Sequence, residues 1–357
     1  NNNSFGNWVI RFRWRVILAT LLIVLVAASG GRFLGFSTDY RVFFSKDNPQ
    51  LLAFETLQNT YTKNDNVMFA VEPKDGKVFT RETLAIVEEI TRESWQIPYS
   101  IRVDSVTNFQ YTWSQEDDLV VQDLVENALN FTDTQLTNVQ EVALAEPLLL
   151  NRLITQKSDI TGINVTINRP QKTITETPEV VTFARDMKDK FQKKYPNVNI
   201  YMTGVVFMDN AFNEAGEGDM KSLVPFMYGI VLIIMALSLR TFWGTLTTIL
   251  IMAFSILTGM GIAGWSGILL TPISANAPTI ILTLAVADSI HILVTLFYEM
   301  RHGKSKYEAI QETLRANHQP VFITSLTTAI GFLSLNFSDS PPFRDLGNIV
   351  AVGVMAA

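Results

Sequence analysis

The chain has 357 residues, 48% apolar and 17% charged, with a formal net charge of −6 and a mean hydropathy of +0.20. Cysteine is absent, which excludes a disulfide framework and any cysteine-based metal or redox site. Three histidines with no HExxH spacing argue against zinc chemistry, and the acidic balance leaves no basic footprint for nucleic acid.

Apolar residues cluster at 16–35 and after 223, while 36–222 has the composition of a soluble domain, so the length divides into two bodies. The first apolar run, 16–29, follows Arg11, Arg13 and Arg15 and ends at Gly30-Gly31-Arg32. A basic start, a short apolar run and small residues after it also describe a secretory signal peptide. Phe12, Trp14 and Phe33-Leu34 lengthen the run and arginines can snorkel at both ends, so a retained membrane anchor is the preferred reading.

In the soluble stretch, strands are expected at 67–71 and 101–106 around an amphipathic helix 80–96, and at 160–167 and 198–202 around a helix 178–194. Two strand–helix–strand units suggest an α+β domain of ferredoxin-like βαβ repeats, whole or split into two subdomains. Residues 117–150 read as helical, with Thr132-Asp133-Thr134-Gln135 as a capping start. The lysines of 188–194 read as a solvated helix face, and nothing here has a catalytic pattern.

Further spans are expected at 223–239, 243–265, 277–298, 321–337 and from 346 onward, each approaching the ~20 residues that cross a ~30 Å hydrocarbon core. The chain then divides into 1–35 (cytoplasmic amino terminus and first span), 36–206 (α+β domain) and 207–357 (spans two to six). Arg11, Arg13 and Arg15, Arg240, and Arg301, Lys304, Lys306 and Arg315 all fall on one side of an alternating topology, the cytoplasmic one, with Arg344 as an exception. The link 307–318 is amphipathic and is expected along the anionic inner leaflet. Residues 36–222, with 28 acidic and 18 basic side chains, then lie outside.

Asp288 sits near the middle of the apolar run 277–300, which holds no further charge until Glu299. A carboxylate at bilayer depth costs about 2.5–3.5 kcal/mol on insertion scales, so it survives where it faces protein or a water path. His291 follows one turn on, and Leu284, Ala285 and Thr295 share or flank that face, with Ser289 beside it. Desolvation disfavours the charged form of a carboxyl, and imidazole titrates near neutrality. In the next span Thr324, Thr327, Thr328 and Gly331 form a stripe of hydroxyls and one small residue. Asp288 therefore reads as a proton carrier, His291 as an accessory titrating group, and Ser289, Thr295, Thr324, Thr327 and Thr328 as its neighbours. A structural reading stands beside it: Asp288 paired with a neighbouring hydroxyl, His291 donating to a carbonyl, and the threonines only packing.

No cofactor is expected. A GxxxxGK[ST] phosphate loop is absent, and GMGIAG (259–264), though it satisfies GxGxxG, lies inside a span with no preceding strand. Its small residues fit close helix packing instead. A proton crossing ~150–200 mV delivers about 3.5–4.6 kcal/mol, enough to shift a two-state equilibrium by two to three decades.

A single span followed by FSTDYRVFFSKDNPQLLAFETLQNTYTKNDNVMFAV (36–71), then VNIYMTG, Asp219 and Pro225, and above all the run 275–335 from ANAPTIILTLAVADSIHILVTLFYEM to FITSLTTAIGFLSL, resemble the amino-terminal half of a resistance-nodulation-division (RND) permease of the MMPL-type exporter branch. That branch is similar in its membrane part to hopanoid and mycolate lipid transporters and to sterol-sensing domains. Residues 110–160 contribute little to the resemblance. One departure is Leu284, where the superfamily often has the glycine of GxxxD; Ala285 is the nearest small residue. The resemblance implies a multi-pass α-helical membrane protein with an external porter-type domain, the truncated half of a two-repeat permease, in the inner membrane with the porter domain in the periplasm. It also implies proton-driven export, with a lipid or amphiphile as cargo, membrane lipids and the second half as partners, and a homo-oligomer or periplasmic accessory as further ones. A sterol-sensing-type receptor without transport, or a protein-export accessory of the SecDF kind, are the alternative classes; none is an enzyme.

Overall fold

Arginine-flanked apolar residues open the chain as two helices, α1 (Asn3–Arg11) and α2 (Arg13–Ala28), with Ser29–Phe33 continuing α2 as a 3-10 turn. A two-residue strand, β1 (Gly35–Phe36), and helix α3 (Pro49–Thr60) follow. The computed structural model describes residues 3–37, 39–61, 65–115, 118–170, 173 and 175–357. It separates into a helical unit, Asn1–Leu51 with Asn213–Ala357, and an α/β unit, Leu52–Phe212.

In the α/β unit, β2 (Asn66–Pro73) alternates half-buried and buried residues, as a strand with one covered face must. It is followed by α4 (Arg81–Ser94), β3 (Ser100–Ser105), β4 (Gln110–Gln115), β5 (Asp118–Asp123), α5 (Asp133–Ala145), β6 (Thr161–Ile167), α6 (Glu176–Lys194), β7 (Val198–Thr203) and α7 (Val205–Lys221), which leads out of the unit. The main sheet is antiparallel with order β3-β6-β2-β7; Phe69 of β2 faces Ile163 on one side and Met202 on the other. Helix α4 carries the chain from β2 to β3 and α6 from β6 to β7, each crossover passing one strand. Both strand–helix–strand units therefore share a single sheet. The core on one face joins Val67, Phe69, Val71, Ile163 and Val165 to Val87 and Ile90 of α4 and Val180 and Phe191 of α6.

The basic face of α6 is stapled to α4. Lys190 meets Glu93 at 2.6 Å, Lys194 meets Glu89 at 2.6 Å, and the Tyr195 hydroxyl also donates to Glu89. At the sheet end, Arg169 is buried between Asp65 (2.8 Å) and Asp209 (2.9 Å) and donates to Thr177 Oγ1 at 2.6 Å. That guanidinium joins the entrance to β2, the exit of β6, the first turn of α6 and helix α7. Residues 207–212, assigned from sequence to the bundle, belong here through Asp209.

The helical reading of 117–150 is corrected. Residue 117 lies outside the described residues; 118–123 is β5, paired with β4 so that Trp113 faces Val120, and the helix is only Asp133–Ala145. Thr112 opposite Val121 and Trp113 opposite Val120 are strand-forming pairs, but no glycine lies between the two strands in the sequence. The Thr132–Gln135 capping box does start α5, and Glu88 of α4 accepts from the N–H groups of Asn127 and Ala128, fastening this insertion to the sheet's helices.

The helical unit continues with α8 (Leu223–Leu239), α9 (Phe242–Trp265), a two-residue strand β8 (Leu269–Leu270), α10 (Ala277–Arg301), α11 (Lys306–Leu333) and α12 (Pro341–Ala356). Among the described residues, five helical stretches are long and apolar enough to cross a membrane: Arg13–Phe33, Val205–Leu239, Phe242–Trp265, Ser274–Arg301 and Lys306–Phe337. Strand β1 pairs in parallel with β8, and Ser37 donates to Leu270 O at 2.8 Å. Residues 36–51, read from sequence as the start of the soluble domain, thus group with the helices. The link 307–318 is likewise no separate element but the first turns of α11: Ser305 and Glu308 form a capping box there, and the helix runs on through Pro320.

The basic segments gather at one end of this unit. Helix α1 packs on α11, Arg13 donates to Tyr307, and the start of α9 at Gly244 abuts Phe297 near Arg301. At the opposite end α2 and α9 meet backbone to backbone. A Cβ on Gly261 would lie 2.0 Å from Ala27 O, and one on Gly264 2.0 Å from Gly30 O. The glycines of GMGIAG are therefore contact points between helices.

Gly261→Leu is expected to lower the melting temperature of the solubilised protein, an overpacking cost of about 1–3 kcal/mol or more; Gly31→Leu, with nothing within 4 Å of its Cβ position, should leave it unchanged. In the α/β unit, burial pushes the Glu89 carboxyl up, but hydrogen bonds from Lys194 and Tyr195 outweigh it and hold the group below its ordinary value. That stabilisation is full above the unfolded carboxyl's pKa and is lost as pH falls through the lowered folded value. Glu89→Gln should therefore lower the melting temperature at neutral pH, with the gap to wild type closing in acid; a constant gap across a pH series would contradict this.

Candidate functional site

Helix α10 lies centrally, against α8, α9, α11 and α12. Its buried stripe, Ile281, Leu282, Ala285, Val286 and Ser289, recurs at helical spacing and packs into two apolar clusters, one with Met235 and Met252, the other with Ala263 and Ile349. Leu284, Asp288 and Thr295 run beside that stripe and are half-buried, and His291 is exposed. Asp288 thus sits at the margin of the packed interior.

The carboxylate has a partner on the next helix. Ser325 Oγ, buried on α11, donates to Asp288 Oδ2 at 2.9 Å, and the same Oγ lies 3.0 Å from Val321 O. The expected threonine stripe is corrected on this point. Thr324 donates to Pro320 O at 2.9 Å and Thr327 to Ile323 O at 2.9 Å, both exposed, and Thr328 is half-buried. Thr295 donates to His291 O at 2.9 Å, one turn back on its own helix. Ser289 is buried and carries no side-chain hydrogen bond among the described residues, and the His291 ring likewise has none. The structure therefore joins Asp288 to Ser325, a residue adjacent to the stripe but not on it. Ser325 and Ala329 lie on the buried face of α11, and the stripe of 324, 327, 328 and 331 is turned from it by about one residue, or ~100°; spacing alone does not say which of the two faces meets α10.

Several other hydroxyls in these helices make the bond that Ser325 makes to Val321, without a second one to a neighbouring helix. Ser238, Thr247, Thr248, Ser255 and Thr283 each donate to the carbonyl four residues earlier, which satisfies them within their own helix. Ser325 has one hydrogen and two acceptors within reach. With Asp288 charged, the hydroxyl can donate to the carboxylate. With Asp288 protonated, the acid can donate to Oγ while the serine hydrogen turns to Val321 O. Both protonation states fit the same heavy-atom positions with every donor placed. Among the described residues no group of three or more His, Asp or Glu side chains is arranged to hold a metal ion.

If Ser325 holds the carboxylate, Ser325→Ala should raise the rate at which dicyclohexylcarbodiimide, which attacks protonated carboxyls in apolar surroundings, labels Asp288 by at least about twofold, a lost hydrogen bond's worth. Thr324→Ala and Thr327→Ala should leave the rate as it is; equal effects at all three positions would sink the assignment.

Comparison with known proteins adds two findings. The profile of the MMPL family matches residues 74–357. A protein of Methanocaldococcus jannaschii, named as a membrane protein, is 24% identical over 159 residues, 44% of this chain and 41% of its own length. The chain spans about two fifths of that relative.

Proposed function

The chain belongs to the MMPL family, and from that membership, which suggests a membrane transporter, we propose that it is a proton-driven exporter of lipids or other amphiphiles with Asp288 as the intramembrane proton carrier. The observation that carries the reading is the Asp288–Ser325 pair, a cross-helix bond that accommodates both protonation states. His291, exposed one turn away, is the accessory titrating group in this reading, and the half-buried edge it shares with Asp288 is where a second repeat would close the relay.

The basic end of the helical unit is placed in the cytoplasm by the positive-inside rule, which puts the α/β unit outside, in the periplasm of a cell with an inner membrane. Its βαββαβ sheet is read as a ferredoxin-like porter domain that handles cargo. Proton entry and release at Asp288 then bias two states of the bundle, with roughly 3.5–4.6 kcal/mol per proton at ~150–200 mV as the driving free energy. Membrane lipids, the amphiphilic cargo and the second repeat are the proposed partners.

In proteoliposomes carrying the whole protein, Asp288→Asn should reduce cargo-dependent proton flux at least about tenfold, the loss expected when a transfer group is removed, with insertion and melting temperature preserved. Flux at the wild-type rate in the variant would refute the carrier role. Lipid binding by the wild type with no proton flux under any gradient would instead favour the receptor reading.

A further inference from the structure

We propose that the α/β unit binds an anionic amphiphile in a cleft on the sheet face opposite α4 and α6, with Arg152 holding the charged head. The proposal rests on the exporter reading above and gives its cargo a charge. The uncovered face exposes Met68 and Asn164 of the two central strands, and the insertion between β3 and β6 closes over them. The resulting cavity measures about 610 Å³, and a second of about 530 Å³ adjoins it across Met68, Arg152 and Leu153. Each lies within the ~300–1,000 Å³ typical of small-molecule sites.

The floor has an apolar strip at Met68 beside the polar Asn164. A Cβ at residue 162 would lie 2.3 Å from Met68 Cε, so glycine is what lets the Met68 thioether lie flat across β6. Leu149 and Leu153 supply the facing wall. The turn that carries Arg152 is rigidly built: Asn151 takes a left-handed φ of 61°, its N–H donates to Ile154 O at 2.8 Å, and Arg152 N–H donates to Leu149 O at 3.1 Å.

The side chain so presented is exposed and has no hydrogen bond or ion pair among the described residues. The cleft's other cations are Arg102, neutralised by Asp104 at 2.8 Å, and Lys157, which lines the second cavity together with Asp159. In a stretch with 28 acidic side chains against 18 basic, an arginine that could find a carboxylate and does not is set toward a ligand. Its planar fork matches a carboxylate or phosphate head, and the thioether and leucines match an alkyl chain.

The test is photolabelling of the whole protein in lipid nanodiscs with a diazirine-bearing fatty acid and with the matching fatty alcohol. The acid should label peptides containing Met68, Leu149 or Leu153 saturably, and unlabelled fatty acid should compete. Arg152→Ala should weaken the acid about tenfold, as loss of a charge-assisted bond does, leave the alcohol unchanged, and be largely rescued by Arg152→Lys; an unchanged melting temperature checks the fold. Labelling confined to the helical unit, or equal effects of Arg152→Ala on acid and alcohol, would overturn the proposal. Asp288→Asn keeps the two readings apart: lost proton flux in that variant with its cleft labelling intact supports both, while a wild type that carries protons normally but shows no cleft labelling removes the cleft alone.

Discussion

Hydrocarbon offers no hydrogen bonds, so every polar group in the spans has to be satisfied by the chain itself. Most of the helical unit follows from this. Ser238 of α8, Thr247, Thr248 and Ser255 of α9 and Thr283 of α10 return their hydroxyls to the carbonyl one turn back, and the helices then approach as apolar rods. Apolar rods gain no hydrophobic stabilisation from each other in lipid, so close packing has to come from small residues. Gly261 and Gly264 bring α9 onto Ala27 and Gly30 of the first span, and Gly353 of α12 admits the Ile281 side chain of α10.

Against that background Asp288 is an exception with a specific resolution. It could not be satisfied within its own helix without a donor one turn away, and the residues at i±3 and i±4, among them Leu284, Ala285 and His291, place no donor on it. The donor comes from α11, and it is a hydroxyl rather than a fixed cation. A permanent positive charge would lock the carboxylate in its ionised form; a hydroxyl with an alternative acceptor does not. The pairing is therefore compatible with exchange of a proton, which is the property a transporter needs and a purely structural ion pair lacks.

The α/β unit solves a different problem. Its ion pairs on the helix surfaces, such as Lys190–Glu93, are solvent-accessible and contribute little individually. The buried Arg169 with Asp65, Asp209 and Thr177 is another matter, because removing the guanidinium leaves two buried carboxylates side by side, at a cost of about 3–5 kcal/mol. That cluster ties four segments remote in sequence at one end of the sheet. The insertion, held through Glu88, occupies the other side of the sheet's helices and reaches over the uncovered face, which is how a small sheet comes to own a cleft.

Periodicity and composition determined the two-body division, five membrane-crossing helices, both strand–helix–strand units and the cap at Thr132, because each is written in local spacing or in regional composition. The glycines of GMGIAG were legible as packing residues for the same reason. Tertiary structure alone decided the rest. The β4–β5 hairpin depends on cross-strand pairs with no glycine turn to announce it, and the continuity of α11 depends on Pro320 being tolerated inside a helix. The partner of Asp288 is Ser325 and not the threonine stripe, because a rotation of about 100° separates neighbouring helix positions and only packing against α10 selects the inward one. Sequence spacing states which residues share a face; which face meets a neighbour is set by how the helices close on one another.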